Sequence, residues 1–310
     1  MKYFLSFALS FAAVSASAQL TYATLYVDYD SAWTYKNLKI IPIRRKAGAG
    51  VPVNPAISAV PLNKALREGL VSISERGTTS FENVHFLRVT TKSDKPVYIA
   101  GGEIVAGGRQ DRMVVNDTII QPLAKDQYVS VMCVEEGRWA DKEKKFGYGS
   151  YANPSLRRAL DSSHNQAVVW REIDRQLLAG NIKNNTLAYM SRFMDKKYVG
   201  ASEDYMKYFT GRLAATDSTV VGIVAISGDK IIGSDIFDGK ELFYGQAEPL
   251  LRGYVDEAVQ SGAPVTMKDA PVRKYMDQLL KDEPGQNEFV KDRGKVFRQG
   301  GRAVHVNTYR

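Results

Sequence analysis

The stretch that decides the interpretation of this chain is GGEIVAGGRQDRMVVNDTIIQPLAKDQYVSVMCVEEGRW, from Gly101 to Trp139. Apolar and β-branched residues alternate with polar ones in it, which is typical of strands that are buried on one face. Two glycine pairs interrupt the pattern, and glycine permits tight turns and close backbone approaches. The stretch therefore predicts short antiparallel strands joined by turns, with a charged string between them.

That charged string is Arg109-Gln110-Asp111-Arg112, and three apolar residues follow it. On a strand, Arg109 and Asp111 would share one face, and Gln110 and Arg112 would share the other. Burying four long polar groups without partners would be costly. The string thus indicates an ion-pair network, a wet cleft, or both. The planar fork of arginine is suited to carboxylate or phosphate groups.

The strand that ends this stretch carries the only cysteine, Cys133. A cysteine in such a strand is more typical of a small buried hydrophobe than of a nucleophile, which would need a base and an electropositive setting. The available histidines, scattered without a pattern, are His85, His164 and His305. No zinc-site spacing occurs, so we expect no metal and no cofactor. Glu103 and Glu135 are candidates for a general acid/base pair or for carboxylate metal ligands, at a distance that the sequence does not fix.

Two further pairs of residues are candidates for ligand contacts. Arg138 and Trp139 follow a glycine turn and could present a guanidinium and a flat ring to a ligand, or plug a corner of the fold. Gln166 and Trp170 lie one helical turn apart on a predicted helix, so they share a face. For Trp170 we expect packing in the core.

The first 18 residues predict a signal peptide. Lys2 precedes the apolar run from Tyr3 to Val14, and Ala16-Ser17-Ala18 forms a small-x-small cleavage signal. We therefore expect an exported soluble protein, periplasmic or secreted, without stable membrane insertion. A single cysteine allows no intramolecular disulfide, so stability must come from packing.

Charge gives weak information about partners. The chain carries +8, and removal of Lys2 with the signal peptide leaves +7. The positive residues are spread out without a basic tract, so we expect a solvated basic surface that weakly favours anions and no binding to nucleic acid.

The whole mature chain, residues 19–310, is predicted to form a single α+β domain. Residues 19–140 are rich in strand signals, residues 153–213 are predominantly helical, and residues 219–310 return to a β-hairpin and packed helices. Asn153-Pro154 marks a helix start, and the helical pattern from there to Gly180 has a break near residues 161–165.

Several motifs together resemble a known family. They are Gly102-Glu103, Gly108 to Arg112, the segment CVE-x-GRW at residues 133–139, and QAVVW at residues 166–170. In this order they look like the ARG-and-rhodanese-phosphatase-superfamily-associated protein domain, over most of the mature chain. The family name refers to ADP-ribosylglycohydrolase and rhodanese-phosphatase proteins. The resemblance therefore implies, by association, ADP-ribose or phosphoester chemistry. The polar positions that it carries over are Glu103, Gln110, Arg112, Glu135, Arg138, Trp139 and Gln166.

Three functional hypotheses follow from these residues. The first is a pocket for a small anionic or polyhydroxylated ligand, such as a nucleotide-sugar, an ADP-ribose-like molecule or a phosphorylated sugar. The second is a hydrolase in which Glu103 or Glu135 is the general base and arginines stabilise developing charge. The third is a non-catalytic envelope protein in which the same residues brace the sheet.

Overall fold

The structure, a computed structural model, describes residues 20–48, 57–75, 84–138, 145–213 and 217–309. The expected signal peptide and Trp139 lie outside these ranges. Within them the chain mixes helices with largely antiparallel sheets, so the predicted α+β class is confirmed. In the described part of the chain, no helix combines the length and the apolar character that a membrane span requires.

The N-terminal half consists almost entirely of strands. They are β1 (Leu25–Val27), β2 (Trp33–Tyr35), β3 (Leu38–Arg45), β4 (Val60–Pro61), β5 (Val71–Glu75), β6 (Phe86–Thr91), β7 (Val97–Ile99), β8 (Glu103–Gly107), β9 (Arg112–Val114), β10 (Thr118–Ile120), β11 (Gln127–Cys133) and β12 (Phe146–Tyr151). One short helix, α1 (Leu62–Arg67), lies among them.

The second half alternates helices with the remaining strands. The elements are α2 (Pro154–Ser163), α3 (Gln166–Ala179), a 3₁₀-helix (Tyr189–Met194), α4 (Lys196–Thr210), β13 (Val220–Ser227), β14 (Lys230–Phe237), α5 (Lys240–Gln260), α6 (Asp269–Leu280), α7 (Glu283–Val290), β15 (Gly294–Gln299) and β16 (Arg302–Tyr309).

Six strands form a barrel-like sheet in the order β12-β8-β9-β11-β6-β5. An isolated bridge between Ser74 and Lys145 brings β5 back beside β12 and nearly closes the sheet. Alternating residues point inward, and Val105, Val114 and Val131 are buried in the same core. Each fully buried valine contributes on the order of 1.5–3 kcal/mol, so this face fixes the strand register.

A second, seven-stranded sheet has the order β1-β3-β13-β14-β16-β15, with β2 paired to β3. Helices α4 and α5 pack on one face of it, and α6 and α7 pack on the other. Strand β13 is therefore buried at every position, which explains its nearly continuous apolar sequence VVGIVAIS.

A small third sheet, β10-β7-β4, departs from the antiparallel pattern expected of the N-terminal half. Strand β4 runs parallel to β7 through only two residue pairs, Val60 with Val97 and Pro61 with Tyr98. A proline without an amide hydrogen is tolerated at such a sheet edge.

The predicted helix start at Asn153-Pro154 is confirmed. The side chain of Asn153 accepts from the amide of Leu156, and the predicted break separates α2 from α3. The sequence pattern predicts a further helix from Ser202 to Leu213, but α4 begins six residues earlier, because Asp195 caps it by accepting from the amide of Tyr198. The sequence pattern also missed α7 and β15.

Candidate functional site

The charged string lies at one end of the barrel, where β8 turns into β9. It was expected to lie on a strand, but residues 108–110 form a bend and the strand begins at Arg112. Gly108 has φ of +52°, and a Cβ there would lie 2.7 Å from Oε1 of Glu75. Glycine therefore lets the bend close over that carboxylate. We name the charged and amide groups that meet here the rim cluster; its members are Glu75, Arg109, Gln110, Asp111, Arg112, Glu135 and Arg138.

Arg138 joins the two sides of the rim cluster. Its Nε donates to Glu135 at 2.7 Å, its Nη2 donates to Asp111 at 2.9 Å, and its Nη1 donates to the carbonyl of Gly108 at 2.9 Å. Glu135 also accepts from the hydroxyl of Thr186 at 2.8 Å. The Arg138 side chain is 31% exposed, so solvent reaches this end of the cluster although most of the donors are engaged.

Arg112 is fully buried and incompletely satisfied. Its Nη1 donates to the carbonyl of Gln110 at 2.8 Å, and its nearest carboxylate oxygen, from Glu75, lies 3.7 Å from Nη2. Nε and Nη2 make no hydrogen bond with any residue that the structure describes. Buried polar groups are nearly always hydrogen-bonded, so two open donors on one guanidinium indicate a place for an oxygen atom from a ligand or from water.

The rim cluster is balanced in charge when all its groups are ionised. Its cations are Arg109, Arg112 and Arg138, and its anions are Glu75, Asp111 and Glu135. Burial raises the pKa of Asp111 above its usual range. A neutral cluster attracts a bare anion weakly, whereas it offers both donors and acceptors to hydroxyl groups.

Gln166 contacts the end of β11, next to the cluster. Its side-chain amide accepts from the backbone N–H of Cys133 at 2.9 Å and donates to the carbonyl of the same residue at 2.7 Å. It thus continues the hydrogen-bonding pattern of the sheet and fastens α3 to the barrel. Cys133 is buried, and burial raises the pKa of its thiol, as expected for a packing residue.

Glu103 lies apart from the other predicted site residues. Val105 of β8 and Cys133 of β11 both pair with Arg112 of β9, so these three residues form a row across the strands. Glu103 lies two residues before this row, and Glu135 lies two residues after it. At about 3.3 Å per residue and about 4.8 Å per strand spacing, their backbones are roughly 16 Å apart. The carboxyl pairs of glycosidases are only about 5–10 Å apart.

Glu103 instead lies fully buried between β8, β12 and α5. Its Oε2 accepts from the amide of Ala100 at 2.7 Å, while its Oε1 makes no hydrogen bond of ordinary geometry with a described residue. Burial raises the pKa of Glu103 to about 8, although Gln246 and Tyr148 lie close enough to lower it. The carboxyl is therefore held mainly in its neutral form at pH 7.

The structure also reveals a buried network around His305 that sequence patterns did not predict. Nδ1 of His305 lies 2.6 Å from Asp117, and Nε2 lies 3.0 Å from Asp235. The ring stacks on Phe237 with centroids 4.2 Å apart. Burial alone would lower the pKa of His305, but the two carboxylates raise it to about 9, so the imidazole is protonated at neutral pH.

Arg157 provides the second cation of this network. It forms a bidentate pair with Asp235 at 2.9 and 3.1 Å, and its guanidinium lies over the rings of Tyr151 and Tyr309. Arg157 lowers the pKa of Asp235 far below its usual range, against the effect of burial. The only signal in the sequence is Asp235, a charged residue next to the apolar end of β14, since the four segments involved are distant in the chain.

The comparisons with known proteins bear on the whole domain. The model of the ARPP-1 family, the ARG and Rhodanese-Phosphatase-superfamily-associated Protein domain, matches residues 26–306. The chain belongs to this family. The resemblance seen in the sequence is thereby confirmed, and the rim cluster, Glu103 and the His305 network all lie within the ARPP-1 domain. No curated protein and no solved structure matches the chain.

Proposed function

We propose that this ARPP-1 protein is exported and binds a small polyhydroxylated or anionic ligand at the rim cluster. Nucleotide-sugars, ADP-ribose-like molecules and phosphorylated sugars are the candidate ligands. The observation that carries the proposal is the buried guanidinium of Arg112, whose Nε and Nη2 make no hydrogen bond with a described residue. A ligand oxygen would complete these hydrogen bonds, and a bond to a charged donor contributes about 1.5–3 kcal/mol.

The ligand chemistry follows from what else the cluster offers. Asp111 and Glu135 present carboxylate oxygens that can accept from hydroxyl groups, and the partly exposed Arg138 lies beside them. Because positive and negative groups balance, a hydroxyl-rich part of the ligand satisfies the cluster better than a second charge does. A phosphorylated sugar would place its ring hydroxyls here and keep its phosphate near solvent.

Binding is tested with the mature protein by isothermal titration calorimetry and thermal unfolding, using ADP-ribose, UDP-glucose and glucose 1-phosphate. A ligand that binds only the folded state stabilises it by about 2.7 kcal/mol at a hundred times its Kd. Arg112→Lys keeps the charge but removes the planar fork, so we expect it to lose most of this stabilisation. Arg171→Lys, at an exposed position of α3, is the matched control and should retain it.

A brace for the barrel is the second candidate function, and the geometry of Arg138 favours it. Its bonds to two carboxylates and a backbone carbonyl already hold the bend and the end of β11 together. For a brace, Arg112→Ala would cost about 3–5 kcal/mol of unfolding free energy through the unpaired Glu75. None of the three ligands would stabilise the wild type. That combination of results would reject ligand binding.

The hydrolase hypothesis receives less support than binding does. Both oxygens of Glu135 are engaged, by Arg138 and by Thr186, and Glu103 lies in another part of the fold. Turnover of a bound ligand that Glu135→Gln abolishes, without loss of affinity, would reverse this preference.

A further inference from the structure

A groove that is separate from the rim cluster crosses another part of the molecule. Three cavities of about 520, 210 and 840 Å³ adjoin one another between α2, the β13–β14 hairpin and helices α6 and α7. Arg158 lines all three of them, so the three cavities meet around this side chain. No rim-cluster residue lines any of the three. We name this space the Arg158 groove.

Unpaired cations outnumber unpaired carboxylates in the described walls of the groove. The cations without a carboxylate partner are Arg158, Lys230, Lys291 and Arg293. The carboxylates without a cation partner are Asp229, Asp292 and Glu257, and Glu257 accepts hydrogen bonds from Ser155 and Ser261 instead. Asp161 is already paired with Lys295. The open charges therefore leave an excess of one positive charge, which favours a negatively charged occupant.

Arg158 is placed to make the main contact with an anion. It lies on the outward side of α2, next in sequence to the buried Arg157, and its side chain is exposed. It makes no hydrogen bond or ion pair with the residues described here, so its whole planar fork is available. This differs from Arg138 of the rim cluster, whose donors are mostly engaged.

The widest cavity adds an apolar surface to the same space. Tyr275 and Phe289 form an edge-to-face pair with ring centroids 5.0 Å apart, and Met267 and Pro271 lie beside them. Arg158 lines this cavity too, so an anionic group and an apolar body can be bound together. Its volume, about 840 Å³, is within the range of small-molecule sites.

We propose that the Arg158 groove binds a small organic anion whose carboxylate or phosphate is attached to a ring-sized apolar body. Arg158 takes the anionic group, because its fork matches the oxygens of either group. The Tyr275–Phe289 pair takes the apolar body by edge and face contacts. A bare inorganic anion would leave the apolar surface uncovered, and a neutral apolar molecule would leave the cations without partners.

Phenyl phosphate is the probe that tests both halves of this site. Its affinity for the mature protein is measured by isothermal titration calorimetry beside inorganic phosphate and phenol. We expect phenyl phosphate to bind at least tenfold more tightly than either. Arg158→Glu should weaken it at least tenfold, whereas Arg171→Glu, with the same change of charge at an exposed position outside the groove, should leave it unchanged.

Several results would overturn the proposal. They are absence of phenyl phosphate binding at millimolar concentration, equal affinity for phenyl phosphate and inorganic phosphate, and equal losses in the two charge-reversal variants. Arg158→Gln removes only the charge and provides the same comparison should charge reversal disturb folding. Arg112→Lys should bind phenyl phosphate normally, so failure at the rim cluster and failure at the groove are distinguishable.

Discussion

Glu103→Gln should make the protein more stable at neutral pH, by an amount that grows with pH. The carboxyl is fully buried, and burial raises its pKa from 4.5 to about 8. An acid whose folded pKa is raised binds its proton more tightly in the folded state. The stability that it contributes is therefore full below pH 4.5 and falls as the pH rises towards 8.

The magnitude follows from the shift. Each pKa unit corresponds to about 1.4 kcal/mol, so protonating Glu103 at pH 7 costs the wild type about 3 kcal/mol of unfolding free energy. Glutamine is neutral in both states and has nearly the same shape. Its carbonyl oxygen can still accept from the amide of Ala100, and its NH₂ group would point towards the side-chain amide of Gln246, which lies next to this position.

The assay is urea unfolding of both proteins at pH 5, 6, 7 and 8, comparing the difference between them at each pH. Both proteins share all other titrating groups, so the contributions of those groups to the pH dependence cancel in this difference. We expect Glu103→Gln to gain about 1.4 kcal/mol per pH unit over this range. Glu288→Gln, on the exposed side of α7, is the control and should stay within about 0.5 kcal/mol throughout. A pH-independent difference for Glu103→Gln would refute the reasoning.

Two further predictions test the His305 network and its surroundings. Gly102→Ala should cost about 2 kcal/mol or more, because φ is +97° there and the new Cβ would lie 2.6 Å from Cδ of Arg157. Gly147→Ala is the control, because a Cβ at that position would have no atom within 4 Å. Equal urea unfolding midpoints for the two variants would contradict the prediction. Stability contributed by His305 should be full below pH 6.5 and lost as the pH rises through about 9, because its folded pKa is raised. The difference in unfolding free energy between the wild type and His305→Gln should then fall by about 3 kcal/mol between pH 6.5 and 9. A difference that stays constant over this range would count against a protonated imidazole.

Local signals in the sequence determined much of the secondary structure. The cap at Asn153, the break before Gln166 and the glycine turn of the β13–β14 hairpin are each set by neighbouring residues. Alternation along β11 puts Val131 and Met132 on opposite faces of the strand, and they pack in two different cores. These features follow from backbone preferences and from the two-residue period of a strand, which the sequence contains directly.

The site depended more strongly on tertiary structure. Glu103, Arg112 and Glu135 are near one another in sequence and were predicted to share a site. The strand pairing instead puts Glu103 and Glu135 on opposite sides of Arg112. His305 had no sequence pattern to mark it, because Asp117 and Asp235 reach it from other segments of the chain.

The sequence by itself determined the fold class, most of the strands and helices, and the family. Only the tertiary structure decided which charges meet, which donors remain open and where a groove forms. The physical reason is that propensity and periodicity act over a few residues, whereas ion pairs and cavities depend on how distant elements pack. Arg157 and Arg158 show the difference, since one is buried against Asp235 and its neighbour is exposed in the groove.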